Sequence, residues 1–145
     1  MSLSNVFSIA GSAMNAQTIR LNTTASNLAN AESISSSVDE TYRARKPVFS
    51  LKDAEGGLEA PFSQNDVAQA QGVEVLGIVE SEAPLRQEYN PNHPMADDKG
   101  YVYYPNVNVV EEMADMISAS RSFQINAEIM NTAKQMVQRT LSLGQ

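Results

Sequence analysis

The sequence predicts a mainly α protein with a small β-rich insert. Long N- and C-terminal helices pack together as a coiled-coil-like core, and a β domain stands between them in the chain. Three observations carry this. At the front an apolar residue falls at every seventh position: Phe7, Met14, Leu21 and Leu28. At the back the same step gives Val109, Met116, Phe123, Met130 and Val137. Between them lie short β-branched stretches bounded by Pro and Gly. A strict seven-residue step marks a helix that packs lengthwise on another helix. Because the two series sit at opposite ends, the simplest topology leaves by one helix and returns by the other. Residues 1–31 with 105–145 are therefore expected to form one discontinuous helical core, and 32–104 a Ser-rich link with a small outer β domain.

The front helix is expected from about Ser4 to Ala29. Leu3, Val6, Phe7, Ala10, Ala13, Met14, Leu21, Ala25 and Leu28 fall mainly on one helical face. Ser4 or Asn5 suits its cap. Gly11 and several Asn lower its intrinsic propensity, so packing has to supply stability. Arg20 is the only charged side chain from Met1 to Ala31. A polar but uncharged helix can be enclosed on several sides, because amides and hydroxyls pair inside an assembly where an unpaired charge would cost far more. The plainer reading is a flexible Ser/Asn-rich tail.

Glu32 to Glu40 reads as a Ser-rich link, extended or mobile. Thr41 to Leu51 reads as a strand, held to an edge by Pro47. Asp53 to Gly57 is a turn, followed by loop to Gly72. Gly72 to Ser81 is β-branched and partly alternating, a strand. Ser81 to Gly100 carries Pro84, Pro91, Pro94 and Asp97-Asp98, an extended loop with room for a short strand at Leu85 to Tyr89. Gly100 to Tyr104 is a third strand, stopped by Pro105. Val107 to Leu143 has no internal Pro or Gly; Glu111, Glu112 and Asp115 lie near its start and Lys134 and Arg139 near its end, the polarity a helix dipole favours. At 1.5 Å per residue that helix is about 55 Å long, whereas a compact globule of this chain length is only about 40 Å across. Seam contacts alone are too few to offset the ordering of two such helices. Terminal segments mobile in the free monomer and helical once assembled are the expectation.

Composition narrows the function. The chain has 145 residues, 42% hydrophobic, with net charge −7 and no cysteine. The charge argues against nucleic acid as main partner, and thiol chemistry is excluded. No apolar run reaches the length of a membrane helix, and Met1 to Met14 lacks the basic start of a secretory signal. Export, if any, avoids the ordinary signal-peptide route. No GxGxxG, P-loop, GxSxG or CxxC pattern occurs. His93, with Asp97 and Asp98 nearby, offers a metal set without a second His or Cys to complete it, so a Pro-rich turn is preferred. Glu111, Glu112 and Asp115 read as an acidic helix start before they read as acid/base catalysts. Arg43, Arg45 and Lys46 form a small basic cluster, expected to make intersubunit salt bridges. Met113, Met116, Met130 and Met136 read as adaptable packing. No catalytic group, metal or cofactor is expected. The leading reading is an assembly subunit; the rivals are a helical adaptor or export chaperone with a β insert, and a small enzyme.

Two longer runs add a family. Asn22 to Asn30, NTTASNLAN, followed by Tyr42-Arg43 and Val48-Phe49, resembles the N-terminal signature of bacterial flagellar axial proteins. The run from Gly100 to the C-terminus, and the loop Asn90-Pro91-Asn92-His93-Pro94, resemble the proximal-rod family of the flagellar basal body, the FlgC type. The likeness covers about two thirds of the chain. It departs at Asn90, where the family usually has Asp, and before Tyr42, where a turn glycine is usual. The resemblance implies a rod subunit whose terminal helices line the axial core. It implies export by the flagellar type III apparatus without cleavage, and a place in the rod across the periplasm. The implied partners are copies of itself, other rod proteins, the adaptor joining rod to MS ring, and the export apparatus, with no nucleic acid and no membrane insertion. Asn27 and Asn30, within the first run, would lie in the packed helical core beside the seam residues.

Overall fold

The computed structural model describes residues 3–52 and 72–143. The turn and loop expected at 53–71 lie outside the described residues. In chain order the elements are α1 (Leu3–Ala29), β1 (Arg45–Leu51), β2 (Val73–Glu80), β3 (Arg86–Tyr89), β4 (Tyr101–Tyr104) and α2 (Val109–Leu143). Long terminal helices with a small β-rich insert between them are what the sequence predicts; the structure adds that the strands pair as small antiparallel sheets.

The start of α2 and the end of α1 each have a local cause. α2 starts because the Asn108 Oδ1 accepts the N–H groups of Val110 (3.1 Å) and Glu111 (3.4 Å). The exposed Glu111 in its first turn adds the charge that its dipole favours there. α1 stops where the Asn30 Nδ2 donates to the Ser26 carbonyl at 2.8 Å, covering an acceptor the helix end leaves open. The Ser-rich segment after it is more ordered than its composition suggests. Ser35 exchanges both backbone hydrogen bonds with Tyr103 at 3.1 Å, and the Thr41 hydroxyl donates to the Ser37 carbonyl at 2.6 Å.

β1 and β2 form one two-stranded sheet, β3 and β4 another. The first is antiparallel. Lys52 N–H donates to the Gly72 carbonyl at one end (2.9 Å), and Ser81 N–H to the Ala44 carbonyl at the other (2.7 Å). The second pairs Arg86 with Tyr104 through to Tyr89 with Tyr101. Tyr89 and Tyr101 stack edge to face at 5.3 Å, and the Arg86 guanidinium lies 4.4 Å from the Tyr104 ring centre. Gly100 has φ +82, and a Cβ there would sit 3.0 Å from Tyr89 and 3.1 Å from Pro91, so only glycine fits this entry to β4.

The described residues divide into two compact units, drawn from Met1–Ile19, Val48–Gly77 and Ala119–Gln145 in one case and Arg20–Pro47 and Ile78–Ser118 in the other. In the first unit the buried apolar residues are small: Ala10, Ala16, Ala119 and Ala133. Here the Ser12 hydroxyl accepts the Val73 N–H at 3.1 Å, and a Cβ on Gly72 (φ +139) would collide with the Ser12 side chain. In the second unit Val102 is fully enclosed, with Ala31 and Ala44 buried among polar groups: Thr23, Thr24, Asn27, Ser35, Thr41 and Glu112.

Candidate functional site

The expected site is a set of helical surfaces rather than a pocket. Of the eleven residues predicted to form it, Phe7, Met14, Leu21, Leu28, Met116, Phe123 and Met130 are half-buried in the single chain. Val109 and Val137 are exposed. Asn30 is half-buried and turned back on its own helix. Asn27 is the most deeply buried polar residue, 1% exposed.

On α2 the deepest positions are Glu112, Ala119 and Ala133. Their spacing of seven and fourteen keeps the predicted step but moves it off the large residues. A small side chain lets helix backbones approach closely, while large neighbours fill the flanks.

In the second unit the end of α1, the start of β1 and the start of α2 are tied by one amide. Asn27 Nδ2 donates to the Arg45 carbonyl (2.8 Å) and to Glu112 Oε1 (3.0 Å). Its Oδ1 accepts the Arg45 N–H and the Tyr42 hydroxyl, both at 2.9 Å. All four hydrogen bonds an asparagine amide readily makes are therefore filled. Around it Arg20 pairs with Asp115 (3.3 Å), Lys46 with Glu111 (2.9 Å) and Arg45 with Glu80 (3.0 Å). The Arg45 guanidinium also lies 5.3 Å from the Tyr42 ring centre. Hydrogen bonding to Glu111 raises the Lys46 pKa, burial opposing it. Burial raises that of Glu112 despite the Asn27 bond and nearby Lys46, which lower it.

A second amide works the same way nearby. Asn106 Oδ1 accepts the Ala44 N–H at 2.8 Å, and its Nδ2 donates to the carbonyls of Ser81 (3.3 Å) and Ala83 (2.8 Å). Arg43 donates to the same two carbonyls. The basic cluster was expected to serve other subunits. Instead Arg43, Arg45 and Lys46 all find partners within the chain, because the fold brings Glu80 and Glu111 beside β1.

The three acidic residues at the start of α2 take three different partners, Lys46, Asn27 and Arg20, rather than converging on one point. His93 Nδ1 accepts the Met95 N–H at 3.1 Å, and the Asp97 carboxylate accepts the N–H groups of Lys99 and Tyr101 (2.8 Å each) and the Tyr103 hydroxyl (3.3 Å). These bonds, that to Tyr101 foremost, hold the Asp97 pKa below its ordinary value. Among the described residues no group of three or more His, Cys, Asp or Glu is arranged to hold a metal. No described helix is long and apolar enough to cross a membrane.

In the first unit Val6 of α1 and Ile125, Glu128, Ile129, Thr132, Ala133 and Met136 of α2 line an open, mainly apolar groove of about 480 Å³. Ile125, Ile129 and Met136 are 58%, 42% and 57% exposed, at i, i+4 and i+11 on one helical face. In the second unit α2 repeats this with Val110, Met113 and Ile117 at i, i+3 and i+7, all more than half exposed. Sequence reasoning missed this second stripe, although its 3- and 4-residue spacing is visible in the sequence.

Comparison with known proteins gives matches along the whole chain. A family model described as flagella basal body rod protein matches residues 7–32, and one described as flagellar basal body rod FlgEFG protein C-terminal matches residues 98–143. The chain is 48% identical to flagellar basal-body rod protein FlgC of Escherichia coli O157:H7, over 100% of both chains. It is 47% identical to FlgC of Salmonella typhimurium, again over 100% of both, and 41% identical over 100% of both to FlgC of Buchnera aphidicola subsp. Acyrthosiphon pisum.

Proposed function

The chain belongs to the FlgC family of flagellar basal-body rod proteins, and from that premise we propose that it polymerises through its terminal helices and carries motor torque toward the distal rod and hook. It is a structural rod subunit, not an enzyme, and it assembles with other rod components. The finer reading is that residues 1–31 with 105–145 pack as a coiled-coil-like core with neighbouring subunits. The seam from Phe7 to Leu28 and from Val109 to Val137, together with Asn27 and Asn30, joins that core, and 32–104 stands outside it.

One observation supports this most strongly. α2 leaves two apolar stripes open in its own chain, Val110, Met113 and Ile117 in the second unit and Ile125, Ile129 and Met136 in the first. Exposed apolar surface of that extent marks an interaction site. A nearly uncharged α1 suits the same enclosure, since hydroxyls and amides find partners within a packed tube more cheaply than charges do. Many enclosed contacts resist twist better than exposed ion pairs, which salt screens. Its partners in this reading are copies of itself, the other proximal and distal rod proteins and the adaptor that meets the MS ring. It reaches its place in the rod across the periplasm through the flagellar type III apparatus, uncleaved.

The test is Ile117→Asp and Ile129→Asp, one in each unit, in a strain lacking its own copy of the gene. Both sites are exposed in the single chain, so the purified variants are expected to fold as the parent does. Neither is expected to enter a rod or restore swimming. Normal rods and normal swimming with both variants would overturn the reading.

A further inference from the structure

Glu112 is 4% exposed, and the donor that holds its carboxyl is an amide, Asn27 Nδ2 at 3.0 Å, not a cation. The nearby cations are engaged elsewhere. Lys46 of β1 pairs with Glu111, Arg20 of α1 with Asp115, and Arg45 of β1 with Glu80. The charged groups that act on Glu112 are Lys46 from β1 and Glu111 and Asp115 from α2 itself; Arg20 and Arg45 reach Asp115 and Glu80 instead, and the Tyr42 phenol lies on the far side of Asn27. A buried carboxylate with one neutral donor and two acidic neighbours is costly to keep charged, whereas a neutral carboxylic acid fits the same place without that cost.

The same amide holds β1 by both backbone groups of Arg45. The Glu112 N–H closes the first turn of α2 on the Asn108 carbonyl at 2.9 Å. Whatever disturbs the Asn27–Glu112 contact is therefore felt at three element ends together, all within the second unit.

We propose that Asn27 and Glu112 form a proton-sensitive clasp. It closes around a neutral Glu112, binding the first residue of β1 and the first turn of α2 to the end of α1, and it loosens when Glu112 ionises. Burial, the largest influence, holds the Glu112 pKa above its ordinary 4.5. For an acid raised on folding, the stabilisation is complete below the ordinary value and is lost as pH rises through the raised one. The clasp thus tightens on acidification from neutrality, opposite to the usual behaviour of a paired carboxylate. This goes beyond the assembly role and does not depend on it.

Amide hydrogen exchange on the full chain, corrected for intrinsic rates, tests it from below the ordinary 4.5 up to about pH 8. Protection at the Arg45 and Glu112 amides should fall together as pH rises. In Glu112→Gln, which keeps the shape and an acceptor oxygen but cannot ionise, it should stay level. Glu88→Gln, on the exposed β3 and away from the clasp, should behave as the parent. Level protection in the parent, or a Glu112→Gln variant that follows it, overturns the proposal. Should that variant not fold, ¹³C NMR titration of the Glu112 carboxyl in the parent decides alone: a midpoint above 4.5 upholds the clasp, and one at or below 4.5 overturns it.

Discussion

Replacing Asn27 by Ala removes four hydrogen bonds at once and fills none of the gap. Three of the lost partners, the Arg45 N–H, the Arg45 carbonyl and the Glu112 carboxyl, meet at this one amide. The fourth, the Tyr42 hydroxyl, keeps Ser26 Oγ at 3.2 Å and so loses least. At about 1 kcal/mol for each of three net bonds, and somewhat more where the buried Glu112 is left without its donor, the loss comes to about 3–4 kcal/mol. Small domains are stable by about 5–15 kcal/mol, so this is a large share. The assay is urea unfolding followed by near-UV circular dichroism. All five tyrosines (Tyr42, Tyr89, Tyr101, Tyr103 and Tyr104) lie in the second unit, and there is no tryptophan, so the signal reports on that unit. Asn27→Asp separates donors from acceptors: it loses both donated bonds and faces Glu112 with a second carboxylate, so its defect should be large at neutral pH and shrink in acid. An Asn27→Ala loss below about 1 kcal/mol would refute the reasoning, because the net worth of even one of these bonds would then exceed the whole effect.

Ala119 is fully buried. Ala119→Leu adds three carbons where the helix has no room, and thermal unfolding should show a loss of about 1–3 kcal/mol. Asp97→Asn removes a carboxylate whose depressed pKa means that its contribution is present above the ordinary 3.8 and is lost as pH falls through the lower folded value. An acid titration of the tyrosine near-UV signal should therefore show a step below 3.8 in the parent that Asp97→Asn lacks.

The helices were the most legible part of the fold. α1 begins one residue before the expected start, and α2 two residues after, where the side chain of Asn108 caps it. Seven-residue spacing in both helices, and in α2 the absence of Pro and Gly together with a polar cap, are local signals, and local signals survive in a sequence read by itself. β2, β3 and β4 fell within their expected stretches for the same reason, through alternation between Pro and Gly punctuation. The closest-packed positions were less legible. Ala119 and Ala133 are small, so a search for large apolar residues passes over them to Met116, Phe123 and Met130 on the flank. The long-range polar partners could not be read. Asn27 meets Arg45 and Glu112 across 18 and 85 residues, and Lys46 meets Glu111 across 65. Only the completed fold brings such groups together, which is why a basic cluster expected to bind other subunits turned out to be satisfied at home.

In the proposed rod packing, the open apolar stripe of α2 from Ile125 to Met136 is covered by a neighbouring subunit. The chain has no cysteine, so Ile129→Cys introduces a single reactive thiol on that face. Thiol labelling of this variant should be fast in the free chain and blocked in intact basal bodies, while Glu88→Cys, on the exposed β3, labels in both. Equal labelling at the helix site before and after assembly would contradict the account.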